Sequence, residues 1–136
     1  VVLAWLGPSV ERALGAYRYA LYYLAWGLLA GTTHTIVDPT SIVPAIGASG
    51  AIGGVLGAYF LLFPSEKLDI VILPVEVSAW LLLGVWFVAQ VFMTDAGVAN
   101  WAHVGGFLAG MATVLVMGGR TAVLRRNAGF DELSGI

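Results

Sequence analysis

The sequence has no cysteine, only two histidines and few charged residues, which make up 10% of its 136 positions. The absence of cysteine excludes a disulfide framework and thiolate metal sites. Soluble domains carry about 25% charged residues, so the shortage of charge argues against that class of protein. Hydrophobic residues make up 60% of the chain, and the mean hydropathy is +0.92. This composition predicts an integral membrane protein, in which each spanning helix needs roughly 20 apolar residues.

The sequence also lacks the patterns of several ligand-binding classes. No group of histidine, aspartate and glutamate has the spacing of a metal site, and no glycine-rich phosphate-binding loop is present. The net charge of -2 gives no sign of a nucleic-acid partner. We therefore expect no metal, no cofactor and no nucleic acid, and the lipid bilayer is the expected environment of the chain.

Glycine and proline clusters divide the chain into apolar segments. Gly7-Pro8-Ser9 predicts a break after an initial apolar run, followed by a short interfacial segment from Val10 to Arg18. Pro74 and Glu76 suit the first turn of a later helix. Four spans are predicted: helix a from about Tyr19 to Val37, helix b from about Ser49 to Phe63, helix c from about Pro74 to Met93 and helix d from about Asn100 to Met117. The predicted fold class is all-α, a polytopic transmembrane helix bundle, with a membrane core over residues 1–119 and a polar cytoplasmic tail over residues 120–136.

The basic residues predict the orientation of these spans, because Lys and Arg are retained in short cytoplasmic loops. All six fall before helix a, between helices b and c, or after helix d: Arg12, Arg18, Lys67, Arg120, Arg125 and Arg126. The loops from a to b and from c to d have none, so they are predicted to face outside. Helices b and d then run in the same direction, and Ser49 and His103 both lie at outer ends.

Ser49 and His103 have the residue types of a nucleophile and its base. A serine hydroxyl is a weak nucleophile until a neighbouring base accepts its proton, and histidine can do so near neutral pH. Backbone N–H groups of Ala48 and Ser49, at the start of helix b, would face the oxyanion of a tetrahedral intermediate. Gly47 and Gly50 allow the backbone to approach closely. The sequence therefore predicts a catalytic serine–histidine pair at the outer face of the membrane.

Contact between Ser49 and His103 requires close packing of helices b and d, which small residues at four-residue spacing permit in membranes. Such pairs occur in both helices: Gly50 with Gly54 and Gly53 with Gly57 in helix b, and Gly106 with Gly110 in helix d. Each feature alone has an ordinary explanation, since glycine stripes pack any membrane bundle and a serine in a helix usually bonds its own backbone. A histidine in a span is a functional hypothesis by default, although it can also simply link helices. The combination favours catalysis.

Four other polar residues have alternative interpretations. Asn100 is interpreted as the N-cap of helix d, with a substrate or oxyanion contact as the alternative. Gln90, near the outer end of helix c, is interpreted as a helix-to-helix hydrogen bond. Asp95 could orient His103 as a third catalytic residue, but it lies in a loop earlier in the chain. His34 is interpreted as an interfacial or loop histidine, with a proton-relay or ligand role as the alternative.

Three segments resemble the rhomboid intramembrane serine proteases, over residues 1 to about 119. They are Leu6-Gly7 with Val10-Glu11-Arg12-Ala13-Leu14-Gly15, Gly47-Ala48-Ser49-Gly50-Ala51 with Gly54 and Gly57, and Asn100-Trp101-Ala102-His103-Val104-Gly105-Gly106 with Gly110. The resemblance implies a Ser49–His103 dyad without an acidic third member. It also implies that the substrates are transmembrane segments of other proteins, admitted near helix c and the loop from Gln90 to Asn100.

The resemblance begins at the end of the family's second core helix. The His-x-x-x-Asn pair with which the family binds the oxyanion is not in this sequence. We therefore expect upstream helices to be missing and the 136 residues alone to be proteolytically inactive. The function implied is that of an intramembrane serine protease in a bacterial cell membrane, with the C-terminus in the cytoplasm.

Two other classes of protein remain as alternatives at this point. One is a catalytically inactive rhomboid-like protein that binds membrane clients, although such relatives usually lack the dyad. The other is a transporter or channel fragment. A protein of that class is expected to have a broken helix or a charged residue near the bilayer midplane, and the sequence has neither pattern.

Overall fold

The computed structural model of this protein describes residues 2–40, 47–70, 75–92 and 100–126. These residues form six helices and one β-hairpin. In chain order the elements are α1 (Val2–Leu14), α2 (Ala16–Val37), α3 (Gly47–Leu62), β1 (Lys67–Ile70), β2 (Val75–Ser78), α4 (Ala79–Phe92), α5 (Asn100–Val116) and α6 (Arg120–Arg126). The predicted helical bundle is confirmed, and the predicted helices a, b, c and d correspond to α2, α3, α4 and α5.

Helices α3 and α5 form the centre of the bundle and run parallel to each other. Gly106 lies against Gly50, and Gly110 lies against Gly54, so both chains advance in the same direction along their contact. Apart from Ile52, every residue of α3 from position 50 to position 59 is buried. Burial on all sides is expected of a helix that is apolar all round. The parallel arrangement places the first turns of α3 and α5 side by side at one end of the bundle.

Helix α2 packs antiparallel to both central helices. Ala30 lies against Gly50 and Trp26 lies against Gly54, so α2 runs opposite to α3. The Trp26 side chain is 1% exposed, and its indole N–H donates a hydrogen bond of 2.9 Å to the hydroxyl of Thr113 on α5. A buried indole needs such an acceptor for its N–H group. Trp26 therefore joins three helices at the place where Gly54 leaves room for its ring.

Helix α1 continues through Pro8, so the predicted break at positions 7–9 is wrong. The described buried side chains of α1 lie on one face of the helix: Leu6, Val10, Ala13 and Leu14. Their burial offsets the single backbone hydrogen bond that proline cannot donate, and Pro8 itself is exposed. The break occurs instead at Gly15, whose φ of 89° is a conformation that favours glycine. Helix α2 accordingly begins at Ala16 rather than near Tyr19.

The chain enters α4 through a β-hairpin, so the prediction that helix c begins near Pro74 is wrong. Strands β1 and β2 pair antiparallel, and the second strand ends at Ser78. The β-branched Val75 and Val77 suit a strand, and their alternation with Glu76 is a strand pattern. Glu76 therefore does not lie in the first turn of a helix.

The hairpin is attached to the bundle through its first strand and through the residues that flank it. Leu68 is 3% exposed and belongs to the hydrophobic core. The Lys67 ammonium group donates a hydrogen bond of 2.9 Å to the Ser78 hydroxyl across the two strands. At the start of α4, the N–H of Ala79 donates to the carbonyl of Glu66 at 2.8 Å. These contacts hold the first turn of α4 beside the end of α3.

Helix α5 ends at two glycines, and the predicted polar tail begins as a short helix. Gly118 and Gly119 have φ values of 105° and 91°, and the axis bends by 69° between α5 and α6. The Arg120 Nε–H donates a hydrogen bond of 2.7 Å to the carbonyl of Leu62, the last residue of α3. A cation at this place complements the negative end of the helix dipole. Residues 127–136 of the tail lie outside the described residues.

Among the described residues, no helix taken singly is both long enough and apolar enough to cross a bilayer. Helices α5 and α6 meet both requirements as a bent pair.

Candidate active site

Ser49 and His103 lie in contact at one end of the bundle. Ser49 is in the first turn of α3 and His103 is in the first turn of α5. The distance from Ser49 Oγ to His103 Nε2 is 2.5 Å. Both side chains are half-buried. A hydroxyl hydrogen-bonded to an imidazole has the geometry of a nucleophile with its general base.

Glycines set the distance between the two helices that carry this pair. A Cβ atom at Gly106 would overlap the carbonyl oxygen of Gly50, and one at Gly110 would overlap the carbonyl oxygen of Gly54. From the other helix, a Cβ atom at Gly57 would overlap the carbonyl oxygen of Phe107. The backbones of α3 and α5 are therefore in direct contact, which brings a short serine side chain within reach of the imidazole.

The glycines of α3 face two helices at once. A Cβ atom at Gly50 would overlap the methyl group of Ala30, and one at Gly54 would lie 2.5 Å from the Trp26 ring, both on α2. Their carbonyl oxygens, by contrast, face α5. The pair predicted to pack helix b against helix d therefore also permits the close approach of α2.

The first turn of α3 supplies backbone hydrogen-bond donors next to Ser49. Because α3 begins at Gly47, the N–H groups of Ala48, Ser49 and Gly50 have no acceptor within the helix. The positive end of the helix dipole lies at the same place. Donors in this position can stabilise an oxygen that becomes negative beside Ser49 Oγ.

His103 has a second hydrogen-bond partner, on α4. The side-chain oxygen Oε1 of Gln90 lies 2.8 Å from His103 Nδ1, so Gln90 makes the helix-to-helix bond predicted for it, with the candidate base as its partner. Trp86, one turn earlier on α4, has its ring centroid 5.7 Å from that of the imidazole. Sequence reasoning did not identify Trp86 or the partner of Gln90. The four-residue spacing of the two side chains was the available signal.

The structure places two of the three remaining polar candidates in helices. Asn100 is the first residue of α5, one turn before His103, and is 7% exposed. His34 lies within the last turn of α2 rather than in a loop, and is 8% exposed. Asp95, the hypothetical third catalytic residue, lies outside the described residues.

Comparison with known proteins gives a family match over most of the chain. The model of the Rhomboid domain family matches residues 1–120. The chain is 34% identical over 117 residues to "Rhomboid protein 1, mitochondrial" of Saccharomyces cerevisiae, covering 77% of this chain and 32% of that protein. It is 29% identical over 114 residues to "Rhomboid protease GluP" of Bacillus subtilis, covering 83% of this chain and 21% of that protein.

A third relative is "Rhomboid-type serine protease 2" of Emericella nidulans, with 30% identity over 136 residues and coverage of 91% of this chain and 24% of that protein. The chain thus spans between about a fifth and a third of the length of these three relatives. No solved structure matches the chain significantly.

Proposed function

The chain belongs to the rhomboid family, whose members are integral membrane proteins, and from this membership we propose that it forms the catalytic part of an intramembrane serine protease. The observation that carries the proposal is the contact of 2.5 Å between Ser49 Oγ and His103 Nε2. Two of the relatives are named as proteases, which supports the same reaction. The proposed substrates are transmembrane segments of other membrane proteins, cut near their outer ends.

In the proposed reaction, His103 Nε2 accepts the hydroxyl proton of Ser49 while Oγ attacks the carbonyl carbon of the scissile peptide. The π electron pair of that carbonyl moves onto its oxygen, where the backbone N–H groups of Ala48 and Ser49 stabilise the negative charge. The C–N bond then breaks, and the His103 imidazolium gives its proton to the leaving amine. Water, deprotonated by the same imidazole, attacks the acyl carbon; the bond from that carbon to Oγ breaks, and the imidazolium returns its proton to Ser49 Oγ.

The surface of α2 supports a lipid environment for this reaction. Large apolar side chains recur there every three or four residues and are at least half exposed: Tyr17, Leu21, Leu24 and Leu28. A contiguous apolar patch on a surface marks contact with a membrane or a partner. Because the chain spans at most about a third of the three relatives, we propose the activity for the longer protein and expect the 136 residues alone to be inactive.

A fluorophosphonate probe tests the identity of the nucleophile. We expect the full-length protein to form a covalent adduct at Ser49, located by mass spectrometry, because only an activated serine reacts with such a probe at a useful rate. Ser49→Ala should remove the labelling, and Ser65→Ala, in an exposed turn at the other end of α3, should leave it unchanged. A folded protein that neither reacts with the probe nor cleaves a membrane substrate would favour the client-binding alternative.

We also propose that the Ser49 end of the bundle faces outside a bacterial cell membrane. The membrane core would then cover residues 1–119, and residues 120–136 would form a cytoplasmic tail. The six basic residues lie before α2 or in its first turn, after α3, or beyond α5. All three places are at the end of the bundle opposite to Ser49. Retention of basic residues in the cytoplasm supports this orientation.

Cysteine accessibility tests the orientation. In a cysteine-free background of the full-length protein, Thr40→Cys and Ser65→Cys each introduce one thiol at an exposed position. We expect an impermeant thiol reagent to modify Thr40→Cys in intact cells, and to modify Ser65→Cys only after the membrane is permeabilised. The reverse pattern of modification would place the serine and histidine on the cytoplasmic side.

A further inference from the structure

The contacts between α4 and α5 extend the site beyond the serine and histidine. Gln90 and Trp86 lie one turn apart on the same face of α4, and both reach the imidazole of His103. We infer that Gln90 is a positioning residue, which fixes the tautomer and orientation of His103 so that Nε2 is the proton acceptor for Ser49. This inference rests on the proposed function, because it assigns a role in the same reaction.

The chemistry of the Gln90 side chain determines where the imidazole proton lies. An amide oxygen accepts hydrogen bonds and cannot donate them, so the 2.8 Å contact of Oε1 with Nδ1 requires a proton on Nδ1. A neutral imidazole carries one N–H group, which leaves an unprotonated lone pair on Nε2. That lone pair faces the Ser49 hydroxyl, and the hydroxyl donates to it. In the other tautomer Nε2 would carry a proton and could not act as the base.

Gln90 also restricts the rotation of the imidazole ring. The terminal torsion of a histidine side chain is broad, so the backbone of α5 alone does not fix the ring plane. Trp86 packs near one side of the ring at an interplanar angle of 41°, and Gln90 and Ser49 bond the two nitrogens. The ring is therefore held by three different helices of the bundle, α3, α5 and α4.

A neutral partner suits this place in the protein. A carboxylate at Nδ1 would hold the same tautomer, but a charge at the end of a membrane bundle is costly to bury. Glutamine provides the acceptor oxygen without that charge. The acceptor comes from a separate helix, α4, in which Gln90 lies two residues before the last described residue.

Substitutions of Gln90 in the full-length protein separate positioning from packing. Gln90→Leu keeps most of the side-chain bulk and removes the acceptor. We expect its kcat to fall about 10- to 100-fold with KM unchanged, which is part of the ~100- to 10,000-fold that a positioned general base contributes. Gln90→Glu restores an acceptor oxygen, and we expect it to recover part of the lost kcat, with a lower temperature of unfolding because its charge is costly to bury.

A second variant on α4 serves as the control for packing. Leu83 is 4% exposed and lies about two turns from Gln90, so Leu83→Ala loosens the helix without removing the hydrogen bond to His103. We expect Leu83→Ala to lower the temperature of unfolding while leaving the tautomer of His103 unchanged. If Gln90→Leu and Leu83→Ala lose kcat equally and neither changes the tautomer of His103, then Gln90 acts through packing alone.

Nitrogen NMR spectroscopy of the imidazole reads the tautomer directly. In full-length protein labelled with 15N-histidine, the resonances absent from His103→Ala identify His103. We expect a protonated Nδ1 and an unprotonated Nε2 in the wild type and in Gln90→Glu, and a mixture of tautomers in Gln90→Leu. This measurement does not depend on proteolysis.

Besides that outcome of the packing control, two results would overturn the inference. One is a proton on Nε2 in the wild type, which would mean that the side-chain nitrogen of Gln90 donates to Nδ1 in place of the oxygen accepting from it. The other is a Gln90→Leu variant with the kcat and the tautomer of the wild type. Both can occur while the fluorophosphonate probe still labels Ser49, in which case Ser49 remains the nucleophile of a serine protease and the role assigned to Gln90 is rejected. Failure of the probe to label Ser49 would instead reject the proposed function.

Discussion

Ser49→Ala and His103→Ala are each expected to abolish cleavage of a transmembrane substrate by the full-length protein, with losses in kcat of roughly 10,000-fold or more. The double variant is expected to be no less active than the single ones. The reason is that the hydroxyl and the imidazole work as a unit across their 2.5 Å contact. Without the imidazole the serine hydroxyl is not activated, and without the hydroxyl the imidazole has no nucleophile to activate.

The measurement is kcat with a reconstituted membrane substrate, together with thermal unfolding to establish that each variant is folded. Thr35→Ala is a matched control, because it removes a hydroxyl that bonds the carbonyl of Gly31 within α2. It should retain wild-type kcat. If the losses of the two single variants multiplied in the double variant, the two residues would be acting independently. Cleavage that persisted in Ser49→Ala would indicate another nucleophile.

Gly106→Leu is expected to reduce kcat at least ~100-fold, because a displacement of about 1 Å between reacting groups has an effect of that size. The structural reason lies in the backbone contact of α5 with α3. A Cβ atom at position 106 already overlaps the Gly50 carbonyl oxygen, so the helices must separate before any larger side chain fits. Separation at this level draws Ser49 Oγ away from His103 Nε2. Gly106→Ala should give a smaller loss in the same direction.

A second glycine provides the control for the leucine substitution. Gly31 lies in α2, and a Cβ atom built on it meets nothing within 4 Å. Gly31→Leu should therefore leave both kcat and the unfolding temperature close to those of the wild type. Comparison of probe labelling with unfolding temperature separates a displaced nucleophile from a general loss of stability. Wild-type kcat in Gly106→Leu would contradict direct contact between the two backbones.

The proximity of Ser49 and His103 was predictable because it depends on the direction in which their two helices run and not on the details of side-chain packing. The two residues are 54 positions apart, yet the distribution of six basic residues indicates that their helices run the same way. The four-residue spacing of glycines in both helices then indicates close approach. The direction of the helices and the small side chains between them were together sufficient to predict that the two residues lie at one end of the bundle.

The course of the chain before α2 was not predictable from local signals. Proline is usually a helix breaker, but Pro8 lies on the exposed face of α1 while four apolar side chains on the opposite face are buried. Tertiary burial therefore outweighs the local preference. The break falls at Gly15, which has no neighbouring proline and is one of 18 glycines in the chain. Its positive φ is a property of the folded backbone.

The hydrogen-bond partner of Gln90 could not be predicted from the sequence, for a different reason. Helix α4 is apolar around most of its circumference, so its hydrophobic pattern does not define which side faces the bundle. When the rotation of α4 about its axis is unknown, Gln90 and Trp86 can equally be placed against lipid or against any neighbouring helix. The strand pattern of positions 75–78 was present in the sequence, by contrast, but the proline before it suggested the start of a helix.

The parallel course of α3 and α5 also restricts how this part of the family can vary in architecture. Between Ser49 and His103 the chain passes along α3 in one direction and returns along α4 in the other, which makes two passes. A longer connecting loop leaves both residues at the same end. The gain or loss of one helix between them would carry His103 to the opposite end, about 30 Å away across a hydrocarbon core. Helices inserted or deleted in this interval must therefore come in pairs if the serine and histidine are to remain together.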